Sequence, residues 1–91
     1  MSGNDLGMRR RRALWRATHR GSKEMDFLLG RFAEQAVDAM NAAEIVVFER
    51  LIDAPDPALE SCVLEGQSLG ERDLDELIDR VRRFHGLAPA R

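Results

Sequence analysis

The stretch from His19 to Asp26 holds most of the residues in this chain that could take part in chemistry or recognition. It contains Arg20, Gly21 and the carboxylate Glu24 beside that histidine and aspartate. An arginine can pair with a carboxylate through two parallel hydrogen bonds, and a glycine lets another backbone approach closely. The same residue types also suit the end of one helix and the start of the next. This stretch, which we call the corner, is therefore either helix capping or a surface for a partner.

Catalytic groups of the usual kinds are scarce in the sequence. His19 and His85 lie far apart, and neither has a neighbour at helical spacing that would complete a metal site. Cys62 lies among apolar residues, which is more typical of a small core residue than of a nucleophile. The sequence has no glycine-rich phosphate loop and no dinucleotide-binding fingerprint. We therefore expect no catalytic residue, no metal and no resident cofactor.

The charge of the chain is unevenly distributed. Residues 1–24 carry seven basic side chains against two acidic ones, a net +5, whereas residues 25–91 carry seven against fourteen, a net −7. The run Arg9–Arg12 is either a solvated arm, a contact to nucleic-acid backbone, or a means of steering toward an acidic protein. The acidic remainder and a pI near 5.6 disfavour nucleic acid, because nucleic-acid-binding domains usually present a broad basic face.

The sequence also bears on the compartment. A single cysteine permits no internal disulfide, so a reducing compartment is expected. No apolar run approaches the roughly 20 residues of a membrane span, so we expect no membrane insertion. The arginine-rich start is compatible with a mitochondrial transit peptide, although it leads into the corner without a spacer.

Hydrophobic periodicity predicts an all-α fold, a compact five-helix bundle with short connections. The first helix is predicted from Arg9 to about Thr18, with Leu14 and Trp15 as its main apolar contacts. Ser22 is predicted to cap the second helix, whose apolar stripe leaves Gly30 on the opposite face. The stripe consists of Met25, Leu28, Leu29, Phe32, Ala33, Ala36, Val37 and Met40.

Three further helices are predicted from their capping signals. An Asn41–Glu44 capping box opens the third, an Asp56 cap followed by Pro57 opens the fourth, and a Ser68–Glu71 capping box opens the fifth. Gly66 and Gly86 are predicted to end the last two. Their inward residues are Ile45, Phe48, Leu51, Ile52, Leu59, Cys62, Val63, Leu74, Leu77, Ile78 and Val81. We expect residues 1–8 to be a flexible tail, 9–87 a single helical domain and 88–91 a second tail.

Two segments of the sequence resemble one known family. These are HRGSKEMDFLLGRFA, which begins at His19, and FERLIDAPDPAL, which begins at Phe48. They closely resemble the succinate dehydrogenase assembly factors, bacterial and mitochondrial, that promote covalent FAD attachment. The resemblance covers about Leu14 to Leu64 and includes the Asp-Pro-x-Leu of residues 56–59.

The hallmark of that family is an RGxxE motif, matched here by Arg20, Gly21 and Glu24, with Asp26 as the following acidic residue. The resemblance implies a five-helix bundle whose corner binds the flavoprotein subunit of succinate dehydrogenase or fumarate reductase. It implies that the factor assists flavin attachment without forming the bond. It further implies a cytoplasmic protein in bacteria, or a mitochondrial matrix protein in eukaryotes. The helical character of the chain and its one basic edge lead us to expect a monomer until the client is met.

These implications lead to one hypothesis about the corner and two alternatives. We expect His19, Arg20, Gly21, Glu24 and Asp26 to form the partner-binding site, with the arginine pairing with a client carboxylate or carbonyl. Alanine at Arg20 or Glu24 is then expected to abolish flavin attachment while the fold stays intact. The alternatives are a nucleic-acid-binding helical module that uses the arginine run, and an unrelated protein–protein adaptor.

Overall fold

A computed structural model describes residues 3–87, and within them the chain forms helices and no strand. The five α-helices are α1 (Gly3–Thr18), α2 (Lys23–Ala36), α3 (Ala42–Ile52), α4 (Asp56–Glu65) and α5 (Arg72–Phe84). A short 3-10 turn, Val37–Ala39, links α2 to α3. The predicted all-α bundle of five helices is confirmed. None of the helices in this range is long and apolar enough to cross a membrane.

Helix α1 differs from its prediction in both its start and its buried face. It begins at Gly3, not at Arg9, so residues 3–8 of the predicted tail are helical. The expected C-terminal tail, 88–91, lies outside the described residues. Ala13 and Ala17 are buried, whereas Trp15 is 60% exposed and Leu14 only partly covered. Small residues face inward because they let α1 lie close to its neighbours.

Gly30 lies at a close contact between α2 and α1, and its predicted place on the exposed face was wrong. It is buried, and a Cβ atom built on it would lie 3.0 Å from the Thr18 methyl and 3.5 Å from the Ala17 carbonyl oxygen. The Thr18 hydroxyl donates to the carbonyl oxygens of Leu14 and Trp15, both at 3.0 Å, and these bonds hold its rotamer. The methyl therefore cannot turn away freely.

We expect Gly30→Leu to lower the free energy of unfolding by about 2 kcal/mol or more, because the added side chain must separate α1 from α2. Gln35→Leu, on the exposed side of the same helix, is the matched control and should change it by less than about 0.5 kcal/mol. Urea denaturation of both variants measures the difference. Equal stability of the two would show that the helices can move apart without cost.

The apolar stripes predicted from the sequence form the core. Every member of the α2 stripe is buried except Ala36, which is partly buried, although its last members, Val37 and Met40, lie beyond the helix. The predicted inward residues of α3, α4 and α5 are all buried as well. The rings of Phe32 and Phe48 meet in this core at an interplanar angle of 58°, with centroids 6.3 Å apart.

The helix termini agree with most of the capping predictions. Asn41 and Glu44 form the expected capping box, and Gly66 and Gly86 have positive φ angles of 74° and 75°. The Ser68–Glu71 box was wrong, because α5 begins at Arg72 without a side-chain cap. The Ser68 hydroxyl bonds the Asp75 carboxylate instead, at 2.5 Å. Asp56 is not the cap of α4 either, since Pro55 occupies that position.

Candidate partner-binding corner

Local backbone geometry fixes the turn between α1 and α2. Gly21 has a φ of 94°, which favours glycine, and no neighbouring atom lies within 4 Å of where its Cβ would be. The Ser22 hydroxyl accepts from the Met25 N–H at 3.1 Å and caps α2 as predicted. Asp26 accepts the Arg20 N–H at 2.6 Å across the turn. The turn is held from both sides and faces open space at its glycine.

The Arg20 side chain connects the corner to the turn between α3 and α4. Its Nε donates to Asp56 Oδ1 at 2.7 Å, and its Nη1 and Nη2 donate to the carbonyl oxygens of Ile52 at 2.7 Å and Ala54 at 2.8 Å. The side chain is only 11% exposed. Because a guanidinium presents its donors in a rigid plane, these three acceptors define its orientation. Arg20 therefore joins segments more than thirty residues apart.

The outward surface of the corner is formed by its other members. His19, Gly21 and Glu24 are all exposed. The His19 ring stacks on Trp15, with centroids 4.2 Å apart and an interplanar angle of 9°, and its Nδ1 lies 2.8 Å from the Trp15 carbonyl oxygen. A carbonyl oxygen can only accept, so Nδ1 carries a proton. These contacts set the ring orientation at the surface.

Comparison with known proteins assigns the chain to a family. A family model described as flavinator of succinate dehydrogenase matches residues 11–85. The chain belongs to this flavinator family. The resemblance drawn from the sequence is thereby confirmed, and the match includes the whole corner.

Individual relatives of the flavinator family are bacterial and mitochondrial. The chain is 36% identical over 78 residues to the FAD assembly factor SdhE of Acetobacter pasteurianus, covering 86% of this chain and 72% of that protein. It is 36% identical over 69 residues to the protein of the same name from Idiomarina loihiensis, covering 76% of each. A mitochondrial succinate dehydrogenase assembly factor 2 from Scheffersomyces stipitis is 35% identical over 54 residues, 59% of this chain and 36% of that protein. No solved structure was found to match the chain.

The geometry changes the role expected for Arg20 within the flavinator motif. The sequence suggested that its guanidinium pairs with a partner, but three of its N–H groups already bond acceptors of its own chain. Glu24, by contrast, is exposed. Asp26 braces the turn through the Arg20 backbone N–H. Within the motif, Arg20 and Asp26 therefore hold the corner, and Gly21 and Glu24 face outward.

A carboxylate on α4 adjoins the outward face of this flavinator corner. Glu24, through hydrogen bonding and its negative charge, raises the pKa of Glu60 above its ordinary value of 4.5, and the charges of Asp56 and Glu65 act in the same direction. Like charges held close disfavour ionisation, which accounts for the direction of this shift. The outward carboxylate of the motif, Glu24, therefore has a second carboxylate, Glu60, close beside it.

This arrangement predicts a pH dependence of stability. A carboxyl with a raised folded-state pKa binds protons more tightly when folded, so its contribution is full below 4.5 and is lost as the pH rises through the raised value. We expect Glu60→Gln to flatten the stability profile above pH 4.5 and to raise the urea midpoint at neutral pH relative to the wild type. Urea titrations at several pH values test this. An unchanged profile in the variant would show that the two carboxylates do not interact in solution.

The arginine run, the second feature of interest in the sequence, is largely tied to the bundle. Arg9 pairs with Glu49 through bonds of 3.1 and 2.5 Å, and this lowers the pKa of that carboxyl. Arg10 donates twice to the Met40 carbonyl oxygen, at 3.1 and 2.6 Å. Arg11 and Arg12 are exposed. Two of the four arginines, Arg9 and Arg10, therefore attach α1 to neighbouring elements. Part of the positive charge at this end of the chain thus has a structural role.

Two residues of the site were not identified from the sequence. Asp56 was interpreted as a helix cap, and its pairing with Arg20 appears only in three dimensions. The Asp-Pro-x-Leu segment that contains it was a part of the family resemblance, and this was the available signal. Glu60 carried no signal, because nothing in its sequence neighbours indicates that α4 lies beside the start of α2.

Proposed function

We propose that this protein binds the flavoprotein subunit of succinate dehydrogenase and promotes its covalent attachment to FAD. The family description and the names of the relatives support this role. The structural observation that supports it best is the braced corner, in which Arg20 and Asp26 hold the turn while Gly21 and Glu24 face solvent. A rigid turn that exposes the backbone of Gly21 and the carboxylate of Glu24 is suited to binding another polypeptide.

The proposed mechanism is differential binding. A factor that binds one conformer of a client better than another shifts the client toward that conformer, by no more than the difference in affinity. Gly21 has no side chain and open space around it, so the client backbone can approach closely. The Glu24 carboxylate pairs with a client cation or with the client histidine that receives the flavin. The protein thus stabilises the arrangement in which the client forms the bond itself.

Several further properties belong to this proposal. The protein has no catalytic activity of its own, since the attachment chemistry resides in the client. It acts on fumarate reductase as well as on succinate dehydrogenase, because the two flavoproteins are related. It is a monomer before client binding, and it works in the cytoplasm of a bacterium or in the matrix of a mitochondrion.

Flavin attachment can be measured directly. The flavoprotein subunit is produced with FAD in cells that lack any assembly factor, with and without this chain, and its covalent flavin is read by in-gel fluorescence. We expect a strong increase with the chain present, and co-purification of the two proteins. Binding without any increase in fluorescence would indicate a general adaptor. No binding and no increase would refute the proposal.

A further inference from the structure

A second exposed surface adjoins the corner on α2. Phe27 is 54% exposed, so much of its apolar ring surface is in contact with water. Burying that surface against a partner would be favourable. Its ring lies against His85, at the end of α5, with centroids 5.4 Å apart, and Phe84 meets the same imidazole edge-on at 5.0 Å. We call Phe27, Phe84 and His85 the aromatic patch.

The aromatic patch is anchored to the core. His85 Nε2 lies 2.7 Å from the Leu28 carbonyl oxygen and donates to it, which ties the end of α5 to α2. Phe84 contacts Phe32 in a T-shaped pair at 5.8 Å, and Phe32 is buried. The exposed rings therefore rest on a fixed base. Binding to a patch already ordered in this way loses little side-chain entropy.

The charges beside the patch are positive. Lys23, which belongs to the corner as well, and Arg31 lie four residues before and after Phe27, which places them on the same face of α2. The Arg31 guanidinium carbon lies 5.7 Å from the Phe27 ring centroid. Throughout residues 3–87, no ion pair joins either cation to a carboxylate.

Helix α2 has three carboxylates, of which Asp26 accepts the Arg20 N–H at the turn. Glu24 lies close enough to Glu60 on α4 to raise the pKa of that carboxyl. Glu34 lines a cleft beside Trp15, next to α1. The face that carries the aromatic ring is thus left with two uncompensated cations. Phenylalanine and arginine are both enriched at protein–protein interfaces relative to the rest of a protein surface.

We infer that the aromatic patch with Lys23 and Arg31 is a second docking surface, which receives an acidic segment of the client flavoprotein with an apolar side chain against Phe27. The two cations complement carboxylates on either side of that side chain. This inference rests on the proposed function, because the occupant is taken to be the same client that meets the corner. It extends the contact along α2 as far as the end of α5.

The test compares affinities of purified proteins by calorimetry, using the apo flavoprotein subunit as the ligand. Phe27→Ala should weaken binding at least about tenfold. Arg31→Glu should weaken it by about tenfold at low salt and by much less at high salt. Val46→Ala and Arg72→Glu are the matched controls, an exposed apolar and an exposed cationic residue on other helices, and should stay within about twofold of the wild type.

The outcomes separate this inference from the proposed function. If the wild type does not bind the flavoprotein, the proposed function fails and the inference fails with it. If the wild type binds and both patch variants bind equally well, only the second docking surface is refuted. Tighter binding by Arg31→Glu would overturn the acidic character of the occupant. Circular dichroism melts of each variant establish that it is folded.

Discussion

Replacing Arg20 with alanine is expected to lower the free energy of unfolding by about 3 kcal/mol, and flavin attachment should fall with it. The substitution removes a largely covered cation and leaves the Asp56 carboxylate and the carbonyl oxygens of Ile52 and Ala54 without their donors. The loss of function then follows from a loosened corner, since the guanidinium is committed to its own chain. Urea denaturation and in-gel flavin fluorescence measure the two effects.

Two further variants test this explanation. Arg20→Lys keeps the charge but not the planar set of donors, so about half of the stability loss should remain. Arg12→Ala removes an exposed arginine from α1 and should cost less than about 0.5 kcal/mol. A fully stable Arg20→Ala protein that cannot support flavin attachment would contradict the bracing role. It would restore direct pairing of Arg20 with the client.

Glu24→Gln should give the opposite combination, a stable protein that has lost function. The side chain is exposed, and its replacement removes the like charge beside Glu60, which offsets the favourable place of a carboxylate near the start of α2. We expect stability within about 0.5 kcal/mol of the wild type and affinity for the flavoprotein reduced at least about tenfold. Flavin attachment should fall in proportion at limiting concentrations of the factor.

The matched control for Glu24 is Glu76→Gln, an exposed carboxylate on α5. It should leave both affinity and flavin attachment unchanged. If Glu24→Gln behaved like this control, the outward carboxylate would have no part in recognition. The site would then have to be sought in the remaining exposed residues of the corner.

The sequence was sufficient to predict the elements of this fold because each helix carries its own local signals. The α2 stripe, the Asn41–Glu44 box and the glycines that end α4 and α5 all depend on residues a few positions apart. The errors arose where two helices meet. Periodicity alone cannot show that Ala17 and Gly30 form a close contact between α1 and α2, so it placed the larger Leu14 and Trp15 inside.

The candidate site divides in the same way. The turn at Gly21, the Ser22 cap and the outward Glu24 follow from local sequence and agree with the structure. The Arg20–Asp56 pair joins residues 36 positions apart, and a charged residue gives no sign in sequence of the partner it will meet. Family resemblance marked both ends of this pair without indicating that they touch.

The span of the Arg20 contacts has a consequence for how the molecule comes into being. A chain emerging from the ribosome contains the whole corner long before Ile52, Ala54 and Asp56 have been made, so the turn cannot yet be held in place. Such distant contacts form late, because the intervening chain must be ordered first. We therefore expect a nascent or truncated copy to bind the client weakly. Binding of the client would then indicate that the factor is completely folded.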